Sequence, residues 1–189
     1  MRVIAGTFKG RLIHAPAGFS TRPTSDRARE AIFNMLEHAP WSAGLDGARV
    51  LDLFAGSGAL GFEALSRGAA FALFVETDHA ARAALRDTIE SFGLFGATRI
   101  HRRDATDLGL KPAGVGAPFT LVFLDPPYQK GLGEKALARL VEGQWIAPDA
   151  RIVFECAKDE TPDIAGFTVH DTREYGAAKV LFLQPAPSP

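Results

Sequence analysis

A chain of 189 residues, 47% hydrophobic and 23% charged, is ample for one globular domain with a sizeable core. No apolar run approaches the ~20 residues that span a membrane, and the start, Met1-Arg-Val-Ile-Ala-Gly, lacks the apolar stretch of a signal peptide. The single cysteine, Cys156, excludes an internal disulfide framework and a zinc ribbon or finger, and it fits a reducing cytoplasm. A net charge of −1 makes no global case for nucleic acid. Residues 1–29 are different: they carry Arg2, Lys9, Arg11, Arg22, Arg27 and Arg29 against Asp26 alone, a net of +5. That end is a candidate phosphate-tracking surface, or a solvated basic face.

In chain order, residues 2–14 alternate around Gly6 and Gly10, which predicts a short β-hairpin. Thr21 to Asp26 is turn and capping chemistry. Ala28, Ile32, Met35 and Leu36 then recur at helical spacing, giving an amphipathic helix over about 26–37. From Arg49 onward the pattern becomes alternating strands and helices. Strands are expected at Val50–Phe54, Phe71–Val75, Arg99–Arg102, Phe119–Leu124 and Arg151–Glu155, and helices at Ala59–Ser66, His79–Phe92 and Gly133–Val141. Phe167–Arg173 and Lys179–Leu183 flank Tyr175-Gly176 as an antiparallel hairpin. Alternating β and α units predict an α/β fold, a mostly parallel sheet with helices on both faces.

Two motifs carry chemistry. Asp125-Pro126-Pro127-Tyr128 follows an apolar strand. Consecutive prolines lack N–H donors and fix φ, so they end the strand and stiffen the backbone. An acid and an aromatic ring then stand at the carboxyl end of a sheet, where open α/β sheets bind ligands. The combination suits a planar nitrogen base. The second motif is Val50 to Gly61, in which Gly56, Gly58 and Gly61 have GxGxxG spacing between a strand and a helix, the signature of a nucleotide-type cofactor. A dinucleotide such as NAD would rest its pyrophosphate on the helix N-terminus, with Glu76 on a ribose. Asp52, inside the first strand, instead suits a cationic ligand with an amino group. S-adenosylmethionine carries a sulfonium and an ammonium, would still give its ribose hydroxyls to Glu76, and would offer its adenine amino group to Asp104, read as ending the third strand. Three acids at three successive strand ends fit S-adenosylmethionine better than NAD. Taken singly, an acid could be a helix cap or a surface charge, a reading as good as the functional one for Asp104 and weaker for Asp52 and Glu76, which the glycine loop places.

Together, Asp52 with Gly56-Ser57-Gly58, Glu76, Asp104 and Asp125-Pro-Pro-Tyr128 resemble the class I S-adenosylmethionine-dependent methyltransferases, and the tetrapeptide resembles that of enzymes methylating exocyclic amino groups. Arg2-Val-Ile-Ala-Gly, Lys9-Gly-Arg11, Thr21-Arg-Pro-Thr-Ser-Asp-Arg-Ala-Arg-Glu30, Phe33-Asn34, Phe54 to Gly61, Glu63-Ala-Leu-Ser-Arg67 and Tyr175-Gly176 with Lys179 are similar to the bacterial ribosomal RNA small-subunit methyltransferase D family. The resemblance runs through nearly the whole chain. It implies a Rossmann-like seven-stranded sheet with an antiparallel last strand, and methylation of the N2 amino group of one guanine in 16S ribosomal RNA. The division expected is residues 1–40 as a hairpin-and-helix appendage for RNA docking and cofactor cover, and 41–189 as the methyltransferase domain.

On this reading the catalytic residues are Asp125, Pro126, Pro127 and Tyr128. The cofactor residues are Asp52, Phe54, Ala55, Gly56, Ser57, Gly58, Glu76, Thr77, Asp104 and Ala105. By resemblance, Arg22, Pro23 and Thr24 fold over the cofactor's methionine end or the target, and Lys9, Arg11 and Arg27 meet RNA. The product would be S-adenosylhomocysteine. The expected partner is 16S ribosomal RNA, presented on a small-subunit particle to a cytoplasmic monomer. No metal is expected, because His14, His38, His79, His101 and His170 show no ligand spacing. Cys156, inside an apolar strand, reads as a small buried hydrophobe rather than a nucleophile. Alternative readings are transfer to an amino group of another base or of protein glutamine, an NAD-dependent oxidoreductase, and a non-catalytic RNA-binding module. The oxidoreductase lacks an evident Tyr-x-x-x-Lys or histidine relay, and the binding module would not need Asp125.

Overall fold

The computed structural model describes residues 1–18 and 25–189. Four α-helices of the described residues are α1 (Asp26–His38), α2 (Ala59–Ser66), α3 (His79–Phe92) and α4 (Leu132–Glu142). The strands are β1 (Arg49–Leu53), β2 (Phe71–Val75), β3 (Thr98–His101), β4 (Phe119–Leu124), β5 (Ile146–Ala157), β6 (Phe167–Tyr175) and β7 (Ala178–Pro185). They form one sheet in the order β3-β2-β1-β4-β5-β7-β6. β1 to β5 are mutually parallel, and β7 runs antiparallel to both of its neighbours. The α/β fold with an antiparallel last strand is therefore as the sequence implied.

Local chemistry sets the element ends. The Ser25 hydroxyl accepts from the Ala28 N–H to cap α1, and Ala39, held extended by Pro40, stops it. Asp78 caps α3 by accepting from Ala81 N, and Gly93 ends it in the left-handed region. The central strands are continuous apolar runs because both sheet faces are covered. On one face Val50, Phe74, Phe123 and Val153 pack in a cluster with Phe33 of α1, Phe62 of α2 and Leu85 of α3. On the other, Leu51, Leu73, Val122 and Leu124 pack in a cluster with Leu137 and Leu140 of α4 and with Trp145.

Two expectations need correction. Residues 2–14 pair antiparallel over a shorter stretch than a regular hairpin: one bridge joins Arg2 and Leu12, flanked by Val3 N–H to the Arg11 carbonyl and Ile13 N–H to the Met1 carbonyl. The reason is that the N–H groups of Ile4 and Ala5 are spent on Glu63 of α2, and those of Thr7 and Phe8 on Ser66. The turn between bridge partners is thus built against a helix rather than a second strand. Val3 and Ile13 enter the main core cluster. The fifth strand also starts earlier than its apolar run. Ile146 pairs with Phe119, a register shift follows, and regular pairing resumes at Arg151 with Leu121. Pro148 and Asp149 occupy that irregular stretch, where a missing ladder N–H does no harm.

Candidate methyl-transfer site

The site lies at the carboxyl edge where β1 and β4 pair. Strand order reverses there, since chain order runs outward from β1 to β3 on one side and continues through β4 on the other. Leu53 pairs with Leu124, so the glycine loop and the Asp125-Pro-Pro-Tyr128 turn emerge side by side. Phe54 turns the chain out of β1 at φ 56°, a left-handed conformation uncommon for a bulky residue. Gly58, at φ 76°, then opens α2. A Cβ there would lie 2.5 Å from Leu85 Cδ2, so position 58 admits only glycine on two counts.

The acids grip this loop from below. Glu76 Oε2 accepts from Gly56 N at 2.8 Å, and its Oε1 accepts from Asp78 N at 2.8 Å. Asp52 Oδ2 accepts from Gly61 N at 3.1 Å, binding strand β1 to the first turn of α2. Asp52 is buried, and its pKa is pushed up to about 8, chiefly by burial, with the nearby Glu76 charge adding and the Gly61 N–H opposing. An approaching cation would favour the ionised form of this carboxyl, so Asp52 is chemically suited to an ammonium group such as that of S-adenosylmethionine.

Asp104 departs from expectation. β3 ends at His101, so Asp104 lies past the strand in a turn, exposed, with Oδ1 accepting from both Thr106 N and Thr106 Oγ1. Those two bonds hold its pKa below the usual carboxylate range. Ala105 beside it is buried, and Thr77 is exposed. Ala55 and Ser57 are half-buried in the loop.

Asp125 follows β4 directly and is half-buried as a residue, its pKa raised well above the ordinary value first by desolvation of the carboxyl, then by the charges of Glu155 and Asp52. Pro126 is buried and Pro127 exposed. The Tyr128 hydroxyl donates to Glu155 Oε1, and Gln129 follows at φ 60°. The Gln129 N–H donates to Glu160 Oε1 at 2.8 Å, while Glu160 Oε2 accepts from Ala157 N at 2.6 Å. The turn is thereby fastened to the end of β5. Beneath it, the space beside Gly133, Phe154 and Cys156 is about 10 Å³, room for one water and not for a base. Cys156 is buried, with its thiol pushed up to about 11 by burial.

Glu155 lies outside the acids expected from sequence, although it carries the same signal as Asp52 and Asp125: an acid closing an apolar run. Glu63 is a second. Fully buried, it accepts from Ile4 N and Ala5 N at 2.9 and 3.0 Å and pairs with Arg67 Nε at 2.9 Å.

Of the expected RNA contacts, Lys9 and Arg27 are exposed. Arg11 is also exposed but is engaged within the fold, its guanidinium 4.6 Å from the Phe92 ring centroid and donating to the Ser91 carbonyl. Arg22, Pro23 and Thr24 lie outside the described residues. Among the described residues no group of three His, Cys, Asp or Glu side chains is arranged to hold a metal ion, and no helix is long and apolar enough to cross a membrane.

Comparison with known proteins agrees with this geometry. The family model described as "Conserved hypothetical protein 95" matches residues 1–184. A putative rRNA methyltransferase, YlbH, of Bacillus subtilis is 40% identical over 186 residues, covering 97% of this chain and 98% of that relative. The ribosomal RNA small subunit methyltransferase D of Escherichia coli K12 is 36% identical over 184 residues, covering 96% and 87%. Among solved structures, a putative methyltransferase, yhhF, of Escherichia coli superposes with a TM-score of 0.81 at 32% identity, covering 100% of this chain and 99% of that one. A ribosomal protein L11 methylase from Lactobacillus delbrueckii, 16% identical, shares the fold with a TM-score of 0.62. Matched along nearly its full length by sequence and by structure, the chain belongs to the ribosomal RNA small-subunit methyltransferase D family.

Proposed function

We propose that this protein transfers a methyl group from S-adenosylmethionine to the exocyclic N2 amino group of a guanine in 16S ribosomal RNA. The observation that carries the reading is the pairing of Leu53 with Leu124, which sets the cofactor loop and the Asp-Pro-Pro-Tyr turn at adjacent strand ends. Methyl donor and amino acceptor would meet across that gap. The names of the relatives support ribosomal RNA as the substrate class.

The cofactor would supply an electrophilic methyl on a positively charged sulfur. Asp52 would hold its amino group and Glu76 its ribose hydroxyls, with Phe54, Ala55, Ser57, Thr77, Asp104 and Ala105 framing the rest. The exocyclic amine of guanine is a poor nucleophile because its lone pair is delocalised into the ring. The Asp125 carboxylate and the Pro126 carbonyl would accept its two hydrogens and hold the nitrogen in line with the methyl. Pro127 keeps that carbonyl rigid. Tyr128 would stack on the base, a contact worth about 1–3 kcal/mol. That offsets part of the few kcal/mol needed to draw a base from its stack. As the new N–C bond forms, the S–methyl bond would break to leave neutral S-adenosylhomocysteine, the nitrogen would shed one proton, to Asp125 or to water, and most of the acceleration would come from positioning. Residues 1–40 would dock RNA through Lys9, Arg27 and the exposed edge of Arg11, and Arg22, Pro23 and Thr24 would cover the cofactor. The enzyme would act as a cytoplasmic monomer on a small-subunit particle.

The test is transfer of tritiated methyl to small-subunit particles from cells lacking the protein, followed by mapping of the modified nucleotide. Label on a guanine N2 is expected. Label on another base or on protein would refute the acceptor, and tight NAD binding without a response to the methyl donor would refute the cofactor.

A further inference from the structure

Three carboxylates stand on one face of this sheet. Side chains alternate along a strand, so Asp52 shares a face with Val50 and Glu155 with Val153, and the same alternation carried one residue past β4 puts Asp125 with Phe123; Val50, Phe123 and Val153 belong to one core cluster. Because Leu124 pairs with Phe154, Asp125 and Glu155 take the next matched position on adjacent strands. Glu155 is only 8% exposed. Burial and the charges of Glu155 and Asp52 disfavour the ionised form of Asp125. Such arrangements persist where a site uses them. Glu155 also receives the Tyr128 hydroxyl from 27 residues away, so it fixes the one ring of the turn.

Resting on the acceptor reading above, we infer that Glu155 is a positioning residue for the methyl acceptor, holding the Tyr128 ring by its hydroxyl and standing as the second carboxylate beside Asp125. The ring plane decides where a stacked base lies, and a phenol hydrogen-bonded at its far end cannot swing away from the turn. The charge has a separate consequence. Among the described residues, the charges bearing on Asp125 are Glu155 from β5 and Asp52 from β1. On the β7 side, Val180 pairs with Glu155, and the adjacent Lys179 donates its ammonium to the Glu160 carbonyl. Glu155 therefore keeps Asp125 protonated to higher pH, until a cationic cofactor enters between the acids.

The two roles separate by mutation. Glu155→Gln removes the charge but keeps an oxygen for the phenol, whereas Tyr128→Phe removes the phenol and keeps the charge. Asp125 works ionised, so activity rises with pH through its titration. In Glu155→Gln the low-pH limb of kcat/KM, measured with S-adenosylmethionine and small-subunit particles, should move to lower pH. The carboxyl ¹³C titration of Asp125 should move with it. In Tyr128→Phe the limb should stay, cofactor affinity should stay, and kcat should fall about tenfold. Glu155→Asp, which keeps the charge but withdraws it from the phenol, should behave like Tyr128→Phe, and it serves if the glutamine variant does not fold. An unmoved Asp125 titration in Glu155→Gln, or a Tyr128→Phe enzyme turning over like the parent, overturns the assignment. The ¹³C titration needs no RNA, so a parent inactive on particles would refute the acceptor reading while leaving this test intact.

Discussion

Replacing Asp52 by asparagine should make the cofactor-free protein more stable, and increasingly so as pH rises. In the unfolded chain this carboxyl titrates near 3.8, and in the fold at about 8. A raised folded value means that the proton favours the fold: the contribution is complete below 3.8 and is lost progressively as pH climbs through about 8. At 1.36 kcal/mol per unit of separation, the parent has lost about 2 kcal/mol by pH 5.5 and about 5 kcal/mol by pH 8. Asparagine stays neutral throughout and still offers an oxygen to the Gly61 N–H. The stability difference between variant and parent should therefore widen by about 3 kcal/mol between pH 5.5 and pH 8, or about 6–12 °C in Tm for a chain of this size. Urea unfolding of both proteins at the two pH values, without cofactor, reads this directly. Calorimetry supplies the counterpart. If S-adenosylmethionine meets an ionised Asp52, binding to the parent releases about one proton, so affinity rises with pH up to about 8. The variant should lose both that dependence and about tenfold to hundredfold in affinity. A stability difference that does not change with pH would refute the reasoning, because it would mean that Asp52 titrates alike in both states.

Asp125→Asn should lower kcat on small-subunit particles by about 10²–10⁴-fold while leaving S-adenosylmethionine affinity near that of the parent, as single-turnover transfer and calorimetry would report. Loss of both together would place Asp125 in cofactor binding instead. Glu63→Gln can satisfy only part of the set formed by Ile4 N, Ala5 N and Arg67, and should cost about 2–4 kcal/mol in urea unfolding. Cys156, buried with its thiol at about 11, should resist alkylation at pH 8 until the protein unfolds. Rapid labelling of the native protein would show the strand to be more open than described.

The sheet was legible where residues faced one demand at a time. Phe71–Val75 and Phe119–Leu124 are covered on both faces, so their composition alone marks them as strands. His79–Phe92 has a capping acid before it and a glycine after it. Legibility failed where a distant partner decided the outcome. Residues 2–14 alternate like a hairpin, but between the bridge partners the N–H groups of Ile4, Ala5, Thr7 and Phe8 answer to Glu63 and Ser66, nearly sixty residues on. The start of β5 is hidden by Pro148 inside a bulge. At the site, Asp52 and Asp125 stood out because they adjoin motifs, whereas Glu155 acquires meaning only when β5 is laid beside β4. Glu76 was expected to face a ribose, and its use of both oxygens beneath the glycine loop depends on backbone N–H groups that no residue pattern reveals.

The short helix α2 touches two parts of the molecule that a diagram of the chain would keep apart. Its first turn is tied to Asp52 beneath the glycine loop, and its flank carries the segment from Ile4 to Phe8 through Glu63 and Ser66. Contact at Gly6 is so close that even a methyl group there would fall 1.9 Å from the Ser66 carbonyl oxygen. In practice the two ends of this protein are unequal as points of attachment. A reporter, affinity handle or surface tether fused ahead of Met1 would pull on the carbonyl that accepts from Ile13 N, and the strain would reach the glycine loop through α2. The same appendage placed after the exposed Pro189 would hang from residues beyond the last strand and leave the chemistry undisturbed.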